Sequence, residues 1–290
     1  MKGFIQNVFR TLNTKRYISN QAESQLDIAQ HYITALHRVN LTKSSVVPII
    51  NCIVSLTSYG TRIASLHITL LSLLNQSVRP QKIIVWLAHD EALTEDLNNL
   101  KKWIEFRFCD DIKSYKKLIP TLRLNLGLPI MTFDDDVIYP YNHVERLYKE
   151  HKKSPKDVVC HRAHAILVHN NSVKPYQQWS FDVSRLDAGS LIFPVGIGGI
   201  LYPDGCFNDV VCNESLFMAL CPTADDIWFK FMALKNGYKA KVVNQPLPYE
   251  QYLQVGGSQK VSLWQKNKTQ NDKQLNALLT HDSSLFELLQ

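Results

Sequence analysis

Apolar residues along the first half of the chain fall into short blocks that alternate between two spacings. Residues 49–56, Ile-Ile-Asn-Cys-Ile-Val-Ser-Leu, form a buried run of strand length, and residues 57–61 are its turn. Ile63, Leu66, Leu70, Leu73 and Leu74 then recur at helical spacing, with Pro80 beyond the stop. Residues 82–87 make a second strand-length run. Thr94 is placed to cap a helix carrying Leu97 and Leu100, and residues 103–108 alternate with the period of a strand. A mixed segment, helical after Pro120, leads to Pro129 and a further apolar strand. Strand and helix alternating with short joins predict an α/β fold with a mostly parallel central sheet and helices on both faces. In such sheets ligands bind beyond the carboxyl ends of the strands.

The second half changes character. Residues 157–160 and 163–169 read as strands, and residues 172–190 set Tyr176, Trp179 and Phe181 among polar positions, as a loop or irregular sheet over a site would. Residues 193–203 carry glycines 196, 198 and 199, and residues 213–220 read as a helix. Asp225 and Asp226 open another helix, with Ile227, Trp228, Phe231, Met232 and Leu234 as its apolar face and Gly237 as its stop. Residues 238–243 form a closing strand. There is no repeat and no clear linker, so residues 48–250 read as one catalytic unit. A helical lead-in over 1–47 precedes it, and a polar, partly helical tail over 251–290 follows.

Composition narrows the class. With 45% hydrophobic residues in 290, the chain can bury one large core, and no run approaches the ~20 apolar residues of a spanning helix. Six cysteines, at 52, 109, 160, 206, 212 and 221, lie far apart without a CxxC pair, which argues for reduced thiols, no zinc site and no disulfide scaffold. The opening residues lack the long apolar segment of a secretory signal, so the expected location is cytoplasmic. Part of the +6 net charge comes from Lys2, Arg10, Lys15 and Arg16, interleaved with Phe4, Ile5, Val8, Phe9 and Leu12. This pattern suits a basic amphipathic helix on an anionic membrane surface, or an ordinary surface helix. The other basic residues are scattered, so nucleic acid is not an expected partner.

The chemistry gathers at two acidic clusters. An apolar run leads into Asp134-Asp135-Asp136, and three adjacent like charges need a counter-charge, most simply a hard divalent cation. In an extended chain Asp134 and Asp136 point one way and Asp135 the other. The alternative is an acidic strand-to-loop junction facing water. Such a strand end meets the need of a sugar-nucleotide transferase, whose diphosphate gains charge as the sugar leaves. Asp225-Asp226 offers either a helix cap or a proton acceptor. A carboxylate held by a cation is a poor base, so the base is expected to be separate from the metal acids: Asp226, with Asp225 as the cap.

Other positions are double-edged. Ser55, Thr57 and Tyr59 can meet a nucleotide, or stabilise their own turn. Arg62 can reach a phosphate, or lie solvated at a helix start. Lys116 is the expected diphosphate contact within residues 114–117, or a helix edge. His161, Arg162 and His164 form a potentially cationic group suited to phosphate or sugar hydroxyls, or to internal hydrogen bonds. Asp182 and Asp187 are candidates for acceptor binding or ordinary loop acids. Gly198 and Gly199 let the backbone approach a sugar, or simply turn it. Trp179, Trp228 and Tyr202 can stack on a sugar, although Trp228 shares the spacing of a core face.

Three segments together resemble the GT-A group of glycosyltransferases, particularly bacterial capsule and lipopolysaccharide enzymes. They are residues 54–62 with 73–83, residues 132–140, which look like the DxD metal motif, and Gly198 to Pro203 followed by Ala224 to Trp228. The resemblance covers about residues 50–245. It implies a nucleotide-sugar donor, a UDP-sugar first, with Mn²⁺ or Mg²⁺ held by Asp136 and Asp134. Asp135 joins Asp134 on the nucleotide side. It further implies inverting transfer to a hydroxyl of a glycan or lipid-linked acceptor, at the cytoplasmic membrane face. A late histidine, a metal ligand in many members, has no counterpart in residues 244–259; His281 lies in the tail. Two alternatives stand. A nucleotidyltransferase would want a glycine- and lysine-rich loop after the first strand, where residues 57–62 hold one Gly and no Lys. A non-catalytic glycan-binding module would leave both acidic clusters unexplained.

Overall fold

The computed structural model describes residues 47–184, 187–255 and 263–290, with side chains in the last segment from 270 onward. The basic segment from Lys2 to Arg16, and its expected membrane helix, lies outside them. The described chain begins β1 (Ile49–Thr57), α1 (Leu66–Leu74), β2 (Arg79–Ala88), α2 (Glu95–Asn99), β3 (Glu105–Cys109), α3 (Ile119–Leu122) and β4 (Ile130–Thr132). Next come β5 (Val137–Ile138), α4 (His143–Lys153), β6 (Val158–Cys160), β7 (Ala163–Ala165), a short hairpin of β8 (Val168–His169) and β9 (Ser172–Val173), then β10 (Ile192–Pro194) and β11 (Ile200–Tyr202). The chain closes with α5 (Glu214–Leu220), α6 (Asp225–Lys235), β12 (Ala240–Val242), β13 (Leu253–Gln254), α7 (Leu263–His281) and α8 (Ser284–Glu287).

Seven of these strands form one sheet in the order β12-β6-β11-β4-β1-β2-β3. The expected α/β architecture is present, as a mixed sheet: β11 runs antiparallel to β4 and β6, and the other neighbours are parallel. Strand periodicity builds two cores. On β4 Ile130 faces one and Met131 the other; on β11 Ile200 and Tyr202 oppose Leu201; on β6 Val158 and Cys160 oppose Val159. Leu66, Leu70 and Leu73 of α1 cover one face, while Trp228, Phe229 and Phe231 of α6 cover the other.

Two local arrangements follow from the sequence. Thr94 does cap α2, its Oγ1 accepting from Leu97 N–H at 3.4 Å. The rings of His143 and His161 stack at 3.6 Å, both fully buried, and His143 Nε2–H donates to Gly198 O at 2.7 Å. That bond ties α4 to the glycine turn ahead of β11. The tail is not a loose appendage. Leu275, Leu278, Leu285 and Leu289 are buried against the α6 core, and Gln274 Oε1 accepts from the backbone N–H groups of Thr223 (2.9 Å) and Ala224 (3.1 Å). A helix from the tail therefore satisfies donors just ahead of α6.

Candidate active site

The acidic triplet follows β4 at the carboxyl end of the sheet's middle, where chain and solvent meet. The triplet does not continue the strand: Asp135 and Asp136 form a turn. They turn back into β5, and the turn is pinned by Tyr139, whose Oη accepts from Asp134 N–H at 3.0 Å. This changes the expected alternation. Asp135 and Asp136 share one cation, the Arg62 guanidinium, which lies 2.8 Å from Asp135 Oδ1 and also pairs with Asp136 Oδ2. Ser58 Oγ donates to Asp135 Oδ2 at 2.5 Å. Asp135 is thus an internal anchor. Burial pushes its carboxyl up to about 7, with Arg62 pulling the other way.

Asp134 faces a different cation. Lys117 Nζ lies 3.5 Å from Asp134 Oδ1, 2.8 Å from Asp225 Oδ2 and 3.9 Å from Asp226 Oδ1. The two acidic motifs, distant in sequence, meet on one buried ammonium. Burial alone would lower the Lys117 pKa; the three carboxylates outweigh it and hold it well above its ordinary value. Gly196 closes the arrangement. Its N–H donates to Asp226 Oδ2 at 3.0 Å, and a Cβ there would lie 3.1 Å from Lys117 Nζ and 3.3 Å from both Asp134 Oδ1 and Asp226 Oδ1. Asp226 is 24% exposed as a side chain, yet its Oδ1 has no solvent access and no hydrogen-bond partner. Burial pushes it up to about 7, against the pull of Lys117.

Several expected contacts are placed elsewhere. Lys116, read as the diphosphate lysine, turns away and pairs with Asp111; the short 3₁₀ turn over Lys113–Lys117 gives the site to its neighbour. Ser55 is fully buried, its hydroxyl 2.7 Å from Thr121 Oγ1, and Thr57 donates to Trp86 O at 2.8 Å, so both hydroxyls are spent inside the sheet. Tyr59 is 37% exposed, with the Arg62 guanidinium 5.7 Å from its ring centre; Arg62 itself is engaged by Asp135 and Asp136. Asp225 does not cap α6: the cap position is Ala224, and the Asp225 carboxylate goes to Lys117. Tyr202, Trp179 and Trp228 are all buried and present no face to a sugar.

Gly198 abuts Arg162, whose Nε donates to Asp182 at 2.6 Å and whose guanidinium lies 4.2 Å from the Tyr249 ring centre. The glycine turn therefore joins Asp226 at Gly196 to the Arg162–Asp182 pair at Gly198. Gly199 has φ +82°, and a Cβ there would overlap the Phe133 ring. Asp187 lies exposed on the segment ahead of β10. Lys117 and Ser58 were missed from sequence, although both adjoin residues that were singled out.

Among the described residues no three metal-ligating side chains converge, and the expected Asp134–Asp136 clamp is split between Lys117 and Arg62. Five carboxyl groups, Asp134, Asp135, Asp136, Asp225 and Asp226, face the two cations Arg62 and Lys117, and Asp134 keeps 32% of its side chain exposed.

No protein-family model matches the chain, and no curated protein matches it. Among solved structures, the crystal structure of 4-diphosphocytidyl-2C-methyl-D-erythritol synthase superposes with a TM-score of 0.44 at 8% identity, over 73% of this chain and 94% of that one. S. aureus TarS 1-349 superposes with a TM-score of 0.44 at 10% identity, over 68% of this chain and 58% of that one. At these values the functional reading rests on this chain's own residues.

Proposed function

We propose that the protein is an inverting, nucleotide-sugar-dependent glycosyltransferase, with Asp226 as the base. The observation that carries this is the meeting of Asp134 with Asp225 and Asp226 on Lys117, beyond the carboxyl ends of β1 and β4. A transferase needs a charged place for a diphosphate next to a proton acceptor. Asp226 is the proton acceptor of this cluster, and because its carboxylates outnumber its lysine, the place for the diphosphate is proposed to need a divalent ion as well.

The acceptor hydroxyl is held near Asp226 by the glycine turn and the Arg162–Asp182 pair. Its oxygen bonds to the anomeric carbon while its proton passes to the Asp226 carboxylate. The bond from that carbon to the diphosphate breaks, and the diphosphate leaves with the electron pair. Lys117 lowers the cost of that charge, and Arg62 and Tyr59 line the donor side. Gly196 N–H donates to Asp226 Oδ2 and holds the carboxylate in place, while Oδ1 is enclosed beside Lys117. Asp134 and Asp136 are the proposed oxygen donors for Mn²⁺ or Mg²⁺, which when bound would neutralise the diphosphate; to meet one ion together Asp136 would have to leave Arg62 and Asp134 leave Lys117. The acceptor is proposed to be a glycan or lipid-linked hydroxyl at the cytoplasmic membrane face; no described helix is long and apolar enough to cross a membrane.

A donor screen tests the reading. Nucleotide release would be measured with UDP-, GDP- and CMP-sugars, with Mn²⁺ and with excess chelator. Turnover of one nucleotide class, UDP first, and its loss in chelator are expected. Release no faster than buffer for every donor would contradict the enzyme assignment; full activity in chelator would contradict the metal alone.

A further inference from the structure

The Asp226 carboxylate accepts from one backbone N–H, that of Gly196, and Gly196 opens a tight turn. Gly196–Gly198 is a single 3₁₀ turn, closed by Gly199 N–H donating to Gly196 O at 2.8 Å. Two buried histidines hold the carbonyls that follow. His143 Nε2–H donates to Gly198 O at 2.7 Å, and His161 N–H donates to Gly199 O at 3.3 Å. His161 Nε2–H in turn donates to His143 O at 2.9 Å. A carbonyl only accepts, so both imidazoles carry their proton on Nε2. Tyr139 also reaches the turn, but its Oη lies 3.3 Å from both Ile197 O and Asp134 O, and its one proton serves one of them at a time. The two imidazoles are costly to enclose. Both are fully buried, and the Nδ1 of each has no hydrogen-bond partner. An apolar ring would fill the same stack without that cost, but it could not donate to Gly198 O.

We propose that His143 is a positioning residue for Asp226: through Gly198 O it fixes the glycine turn, and through Gly196 N–H the turn fixes the Asp226 carboxylate. His161 steadies His143 by stacking on its ring at 3.6 Å and by the bond to its carbonyl. The turn also abuts Arg162 at Gly198, so the same imidazole sets the spacing between Asp226 and Arg162. Burial keeps both rings neutral, so neither acts as an acid or a base. The role in turnover rests on the reading of Asp226 as the base; the chain of hydrogen bonds does not.

The test is ¹H–¹⁵N NMR of the Gly196 amide in the intact protein without donor. A bond to a carboxylate holds that proton downfield. In His143→Phe, which keeps a ring on His161 but removes the N–H, the Gly196 proton should move upfield. In His143→Gln, whose amide nitrogen can donate in place of Nε2, it should return toward the wild-type position. Leu97→Ala, a cavity under α2 away from the turn, should leave it in place. A Gly196 signal unmoved in His143→Phe, or moved equally by Leu97→Ala, would overturn the proposal. If His143→Phe does not fold, ¹⁵N-histidine spectra of the wild type decide: the Nε2–H tautomer of His143 with a slowly exchanging proton is expected, and the Nδ1–H tautomer would overturn it. With the donor that the screen identifies, His143→Phe should lower kcat roughly tenfold or more and leave the donor KM within about twofold. An unchanged kcat would overturn the role in turnover. The spectra need no donor, so a failed donor screen beside a Gly196 signal that depends on His143 would sink the transferase reading and leave the coupling standing.

Discussion

Adjacent lysines at 116 and 117 have almost equal burial and opposite surroundings. Lys116 reaches an exposed partner, Asp111, whereas Lys117 is enclosed by Asp134, Asp225 and Asp226. Removing the ammonium at 117 strands three acids around an uncharged stem. Lys117→Met should therefore cost about 3 kcal/mol or more in urea unfolding, the scale of breaking a buried ion pair. Lys116→Met should change stability by about 1 kcal/mol or less, because its partner is solvated. Equal losses would mean that the two environments are not as described. The pH dependence follows from the same residues. Asp226 titrates at about 7 when folded and at an ordinary 3.8 when unfolded. Between those values the folded state holds the extra proton, so this contribution to stability is full below about 4 and is lost as pH rises to 7. The buried His143 and His161, held neutral when folded, act in the opposite direction. The difference between Asp226→Asn and the wild type isolates the carboxyl: the melting temperature of the variant should gain on the wild type as pH rises from 4 to 8. A constant difference across that range would contradict the raised value.

At the scale of elements, periodicity made most of the fold legible. The strand run at 49–56, the leucines of α1, the cap at Thr94 and the acidic start of α6 all follow patterns that local sequence enforces. What was not legible depends on distant partners. The triplet reads as extended because an apolar strand precedes it, but Tyr139 Oη draws Asp134 N–H into a turn and splits the acids between two cations. Tyr202 reads as a sugar platform until the sheet order places β11 between β4 and β6, which buries it. Asp225 reads as a cap until Lys117 arrives from another segment. The glycine turn is the element whose geometry is least forgiving. Gly199 combines a positive φ with contact against Phe133, so Gly199→Ala should destabilise by about 2 kcal/mol or more in denaturant unfolding. Wild-type stability in that variant would mean the turn can move away from β4.

For the whole molecule, the mixed sheet brings the carboxyl ends of β1 and β4 together, and the crossing β11 carries the glycine turn to the same edge. The tail helix α7 returns to α6 and holds the donors that precede Asp225. Its role was hidden by its polar composition, because beside Leu275 and Leu278 the buried positions described on it include the polar Asn271 and Gln274. The central claim is that the two acidic motifs act as one centre in which Asp226 accepts a proton while the diphosphate departs. The most direct measurement is NMR of the anomeric proton in the sugar released or transferred from the donor that the screen identifies, followed from the first turnovers in wild type and Asp226→Asn. The account predicts inversion of the donor configuration, and a rate in the variant lower by roughly 10²–10⁴-fold with donor binding near normal. Retention of configuration, or a variant as fast as the wild type, would contradict it.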